Sequence, residues 1–161
     1  MLVEDPRRRG TVDSVCPVER ALAVVGSRNA MLVMREAAYG TTRFDGFAER
    51  TGTSPATTAT HLRALTDAGL LARRTYRDPG ERSREEYVLT DAGRDLVPVL
   101  FGLFEWGSRH AGSTPPPVEL VHEGCGEPVA VRVTCADGHD VTPDEVQLRR
   151  RAGRPTTGEH R

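Results

Sequence analysis

Apolar residues recur at helical spacing four times along the first part of this chain, and then the rhythm changes. "PVERALAVVG" puts Val18, Ala21, Leu22 and Val25 on one face, with Pro17 at the first helical position and Gly26 as the stop. "NAMLVMREAAYG" repeats the pattern with Met31, Leu32, Met34 and Ala38, stopping at Gly40. A shorter segment, "RFDGFAERTG", places Phe44 and Phe47 three apart and ends at Gly52. The fourth, about residues 54 to 68, opens with Ser54 as N-cap and Pro55 behind it, carries Leu62 and Leu65, and ends at Gly69. Its first turns hold Thr57, Thr58 and Thr60, which are mediocre helix formers. Leu62 and Leu65 turn inward with Thr58 or Ala59 a turn earlier, which leaves Ala56, Thr57, Thr60, His61 and Arg63 on the other side.

Next come "LLARRTY" and "EEYVL", short, partly alternating segments rich in strand formers, joined by "RDPGERSR" with a Pro79-Gly80 turn signal. They predict a hairpin with a charged loop. Thr90 and Asp91 then cap a long helix, "DAGRDLVPVLFGLFEWGSRHAG", in which Gly93 and Pro98 are imperfections and Pro98 predicts a kink or a short break. Helices followed by an arginine-tipped hairpin are the order of a winged helix-turn-helix: mainly α with a small β-hairpin. On this plan residues 1–14 form a mobile tail and 15–112 the winged-helix domain. "STPPP", 113–117, is a stiff linker, 118–148 a small β-rich unit, and 149–161 a basic disordered end.

In such a fold the fourth helix enters the major groove of double-stranded DNA. Short Thr and Ala side chains let its backbone approach base edges, and Ser54 at the helix start faces a natural site for phosphate. The expected reading surface is Ser54, Ala56, Thr57, Thr60, His61 and Arg63, while Arg74, Arg77, Arg82 and Arg84 of the wing, with Arg73 beside them, hold the backbone. Taken alone, a threonine-rich face is ordinary solvated surface, and Asp78, Glu81, Glu85 and Glu86 nearly cancel the wing arginines. The order of elements, more than any single motif, favours DNA. Composition does not: the net charge is -1, and all 22 basic residues are arginine. A protein-interaction or ligand-sensing module on the same fold is the alternative.

The motifs also carry a resemblance. "CPVERALAVVGSRNAMLVMREAAYGTTRFDGFAERTGTSPATTATHLRALTDAGLL" followed by "YVLTDAGRDLVPVLFGLFEWG" resembles the HxlR-type winged-helix regulators, relatives of the MarR group. The matching pieces are the Cys-Pro-Val start, Arg43-Phe44 with Phe47, Ser54-Pro55, "LRALTDAGLL", "YVLT" leading into "DAGR", and the closing Trp-Gly. The resemblance implies a homodimeric transcription regulator acting on a pseudo-palindromic operator, dimerising through the first helix and the long helix after the wing. It also implies a redox role for Cys16, the other reading of which is a small apolar residue at the helix start. Two departures stand out. Asn29 in "SRNA" lies where the family has an aromatic residue, and Thr58 where it tends to have leucine.

After the linker, His122, Cys125, Cys135 and His139 are spaced H-x2-C…C-x3-H. That spacing suits a structural zinc site stapling a unit with little apolar core. A relic of a lost zinc ribbon and a Cys125–Cys135 disulfide are the alternatives, and Gly138 stands where a second knuckle cysteine would be expected. No GxSxG, P-loop or HExxH occurs, so no enzyme is expected. No apolar run approaches the ~18 residues of a membrane span, and the N-terminus lacks a secretory h-region. Three cysteines make no disulfide framework, which points to a reduced, cytoplasmic protein with no membrane partner and an effector that the sequence leaves unidentified.

Overall fold

The computed structural model describes residues 16–76, 84–112, 114 and 116–149. Among them the order is α1 (Pro17–Val25), α2 (Arg28–Ala38), α3 (Phe44–Thr51), α4 (Pro55–Asp67), β1 (Leu71–Tyr76), β2 (Arg84–Leu89) and α5 (Asp91–His110), with a final 3-10 turn at Pro143–Glu145. Five helices and one antiparallel hairpin form the expected winged helix. The wing loop carrying Arg77 and Arg82, the N-terminal tail and most of the basic C-terminal end lie outside the described residues. The chain divides into a unit ending at Leu120 and a second beginning at Val121.

The core of the first unit is built on α2, whose Val33 and Met34 are fully enclosed with Phe47, Leu62, Leu65 and Leu71. Of the set expected from spacing, Met31, Leu32, Met34 and Ala38, only Met34 is fully buried; the inward apolar face of α2 is Ala30, Val33, Met34 and Ala37. Met31 and Ala38 are half-buried toward α5 instead. Burying these side chains contributes about 1.5–3 kcal/mol each, enough to fix α3 and α4 against α2.

Short contacts then attach the wing to the helices. The register pairs Leu71 with Leu89 and Tyr76 with Arg84. The amide of Tyr87 donates to the carbonyl of Thr42, 2.8 Å away, and its ring meets Phe47 edge-on at 6.2 Å. At the far end of the hairpin the Thr90 hydroxyl donates to Gly69 O at 2.6 Å and accepts from the amide of Gly93 at 3.1 Å, capping α5. Gly93 is not a weak spot in the helix: a Cβ there would stand 2.2 Å from Leu70 O. Only glycine lets α5 start this close to the α4–β1 turn. Helix α5 runs without a break through Pro98.

Between Val121 and Arg149 no described side chain is buried. The strands expected there reduce to two isolated bridges, Val121 with Pro128 and Thr134 with Asp140. Each closes a tight turn around a glycine of positive φ, Gly126 at 74° and Gly138 at 82°.

Candidate nucleic-acid interface

Helices α3 and α4 form the helix-turn-helix, joined by Gly52, Thr53 and Ser54. Gly52 ends α3 in the left-handed region at φ 66°, and the Ser54 hydroxyl accepts from the amide of Thr57 at 3.2 Å to start α4. With Leu62 and Leu65 buried, the outward side of α4 shows Ala56, Thr60 and Arg63 exposed and Thr57 and His61 half-buried. Ser54 is exposed at its start. The six residues expected from the sequence thus share one face and one helix end.

Their hydroxyls are not all at liberty. Thr60 donates to Ala56 O at 2.9 Å, and Thr57 Oγ1 lies 2.9 Å from Ser54 Oγ. The Ser54 oxygen already accepts an amide, so Thr57 and Ser54 cap each other as well as facing outward. Thr60 therefore offers a methyl group and oxygen lone pairs, suited to a thymine methyl or to an amino donor on adenine or cytosine.

The turn before α4 holds a feature that residue spacing did not reveal. Thr58 is fully buried, and its hydroxyl donates to Ser54 O at 3.0 Å and contacts Thr53 Oγ1 at 2.8 Å. Thr53 in turn contacts Thr51 Oγ1 at 2.8 Å, and Thr51 donates to Phe47 O at 2.7 Å. A chain of hydroxyls thereby runs from the end of α3 to the second turn of α4. Spacing already turned Thr58 or Ala59 inward, and the structure buries Thr58; what spacing did not show is that Thr51, in the run Thr51-Gly52-Thr53-Ser54, is buried as well and that the hydroxyls join.

The wing is laced internally. Arg74 Nε donates to Glu86 Oε1 at 2.7 Å across the strand pair, so this arginine is anchored as well as cationic. Arg73 lies 3.7 Å from Glu85 and stacks over Tyr87, 5.9 Å from its centroid. Arg84 is exposed at the strand end. Arg43, outside the expected set, lies over the ring of Tyr76 at 5.1 Å and adds a guanidinium at the start of α3. The Tyr76 hydroxyl is buried with no partner among the described residues.

Cys16 is a half-buried free thiol at the N-cap of α1. In the second unit the expected four-ligand zinc set is not assembled. Among the described residues, no three or more His, Cys, Asp or Glu side chains come together so as to hold a metal ion. Each turn closes on itself instead. His122 Nδ1 lies 3.2 Å from Cys125 Sγ, and His122 O accepts from the amides of Cys125 and Gly126. In the other turn, Cys135 N–H donates to His139 O. The amides of His139 and Asp137 hold the Cys135 thiol below its usual range. All three cysteines are free.

The chain is similar over residues 24–115 to the HxlR-like helix-turn-helix family. An uncharacterised HTH-type transcriptional regulator of Mycobacterium tuberculosis is 37% identical over 148 residues, 91% of this chain and 90% of the relative. A match of that length takes in the second unit as well. The crystal structure of PA1607, a protein proposed to be a transcription factor, superposes with a TM-score of 0.77 at 32% identity, covering 86% of this chain and 97% of that one. The oxidised form of the redox regulator HypR matches with a TM-score of 0.54 at 28% identity, covering 60% of this chain and 99% of its own. Fold, helix-turn-helix geometry and similarity agree: the chain belongs to the HxlR-like helix-turn-helix family of transcriptional regulators, not to a family of enzymes.

Proposed function

We propose that this regulator works in the cytoplasm as a homodimer on a pseudo-palindromic operator, each protomer laying α4 in one of two successive major grooves about 34 Å apart. The observation that carries this reading is the exposed polar face of α4, with Ala56, Thr57, Thr60, His61 and Arg63 standing opposite the buried Leu62 and Leu65. Ser54 meets a phosphate at the helix start, while Arg74, Arg77, Arg82 and Arg84 hold the flanking backbone. Two apolar stripes support the dimer: Val18 and Leu22 on α1, and Val99, Leu103 and Trp106 on α5. All five are more than half exposed in the single chain. Such stripes are expected to be covered by a second copy.

Footprinting on the DNA upstream of the protein's own gene, with sedimentation in parallel, tests this. A protected pair of half-sites one helical turn apart and a sedimenting dimer are expected. A monomer with no footprint would favour the interaction module. Cys16 is the thiol through which such a dimer would respond to oxidants. Its Cys16→Ser variant should keep DNA affinity and lose any sensitivity to diamide, and unchanged sensitivity would remove it from that role.

A further inference from the structure

The turn from His122 to Gly126 is built around one side-chain pair. His122 Nδ1 lies 3.2 Å from Cys125 Sγ, and both residues are exposed. Two glycines shape that approach. A Cβ on Gly124 would stand 2.9 Å from His122 Cε1, so a larger residue there would push the imidazole off the turn. Gly126 closes the turn at φ 74°, and its amide donates to His122 O at 2.7 Å. The ring and the thiol thereby face each other across the turn. Among the described residues no third His, Cys, Asp or Glu side chain joins them to hold a metal ion.

We propose that His122 and Cys125 are half of a site for a zinc-like divalent ion, completed by the same two residues of a second copy of the chain. An imidazole nitrogen and a thiolate sulfur are the donors that such borderline-soft ions prefer. A tetrahedral ion at ordinary bond lengths sets its N and S donors about 3.6 Å apart. The turn reaches that span by opening about 0.4 Å. Charge decides what fills the two remaining positions. One thiolate leaves a divalent ion with a net positive charge on an exposed turn, whereas two thiolates neutralise it. Each copy releases one thiol proton to solvent, and the ion takes the place of both. In the other turn Cys135 is held by backbone, its N–H donating to the carbonyl of His139. Neither the outward face of α4 nor the stripes of α1 and α5 enter this inference, and its failure would leave the reading of DNA standing.

Cobalt titration of the reduced, chelator-treated full chain tests it, with zinc added afterwards. The absorption of tetrahedral, thiolate-bound cobalt should appear, saturate at about one ion per two chains, and vanish as zinc displaces it. Cys125→Ser should remove the thiolate band. Gly124→Ala should weaken cobalt at least about tenfold by pushing the ring aside, while Cys135→Ser leaves affinity and stoichiometry unchanged. None of these positions belongs to the buried core of the first unit, so loss of that fold does not blur the result. Saturation at one ion per chain overturns the proposal, and loss of the band in Cys135→Ser would assign the ligands to a single chain instead. Absence of a thiolate band overturns it too, as does a Gly124→Ala variant that binds as tightly as the unmodified chain.

Discussion

The hydroxyl oxygens of Thr53 and Thr58 lie 2.8 Å apart, at the point where the helix-turn-helix turns. Thr51, Thr53 and Thr58 bring three hydroxyl protons to four contacts, two with each other and two with the carbonyls of Phe47 and Ser54. One contact must share a proton, and half-buried Thr53 is the member that can also turn to water. Thr58→Val keeps the shape and removes the innermost hydroxyl. It should lower stability by about 1 kcal/mol by denaturant titration. Thr53→Val should cost less, because the protons of Thr51 and Thr58 then satisfy both carbonyls unaided. Equal costs for both would show that the chain is not the element that joins the two helices.

Gly93→Ala puts a methyl group onto Leu70 O, where the ideal Cβ would stand at 2.2 Å. The carbonyl belongs to the backbone of the α4–β1 turn and already accepts from the amide of Thr90. A loss of about 3 kcal/mol is expected, read as a lowered melting temperature. A neutral result would mean that α5 can slide away from the wing.

The Tyr76 hydroxyl points the other way energetically. It is buried without a partner among the described residues, although the ring supports the Arg43 guanidinium. Tyr76→Phe removes the polar atom and keeps the ring, so stability should hold or rise, by up to about 1 kcal/mol. A clear loss would show that the hydroxyl has a partner after all.

Cys135 should be the most readily alkylated thiol of the second unit. Its thiol is held below the ordinary range by backbone N–H groups, so as pH rises the thiolate forms earlier than at an unperturbed cysteine. The preference holds wherever the thiolate fraction limits the rate, with labelling slower as pH falls, and it fades at high pH, where thiolate is no longer scarce. Iodoacetamide labelling read by peptide mass should therefore favour Cys135 over Cys125 at neutral pH and lose that preference as pH is raised. Equal rates across the whole pH range would contradict the amide cradle.

The elements of the fold were legible because helix starts and stops are written in local chemistry. Ser54-Pro55, Thr90-Asp91, Gly52 and Gly69 each act within a turn of where they stand. Facing was legible on α4 but only in part on α2, where apolar residues surround much of the helix: Met34 was expected inward, and only packing decides that Val33 and Ala37 join it in place of Met31, Leu32 and Ala38. The candidate surface of α4 was legible for the same reason as its core: Leu62 and Leu65 fix both sides at once. What spacing could not give is how hydroxyls are spent. The polar atom of Thr58 becomes tolerable inside only because Thr53 and Ser54 O lie beside it. Nor could spacing show that the histidine and cysteine pairs each close their own turn, since convergence on one metal depends on how two loops face each other.

The central claim is that the outward face of α4 reads the operator. Fluorescence anisotropy on a duplex from the footprinted region and on a scrambled duplex, across a salt series, tests it most directly. The unmodified protein should prefer its operator by about 10³-fold or more, with affinity falling steeply as salt rises. A Thr57→Ala, Thr60→Ala, Arg63→Ala variant should fold normally and bind both duplexes with the same weak, salt-dependent affinity. A variant that keeps the full operator preference would contradict the account and move the reading of bases to the wing.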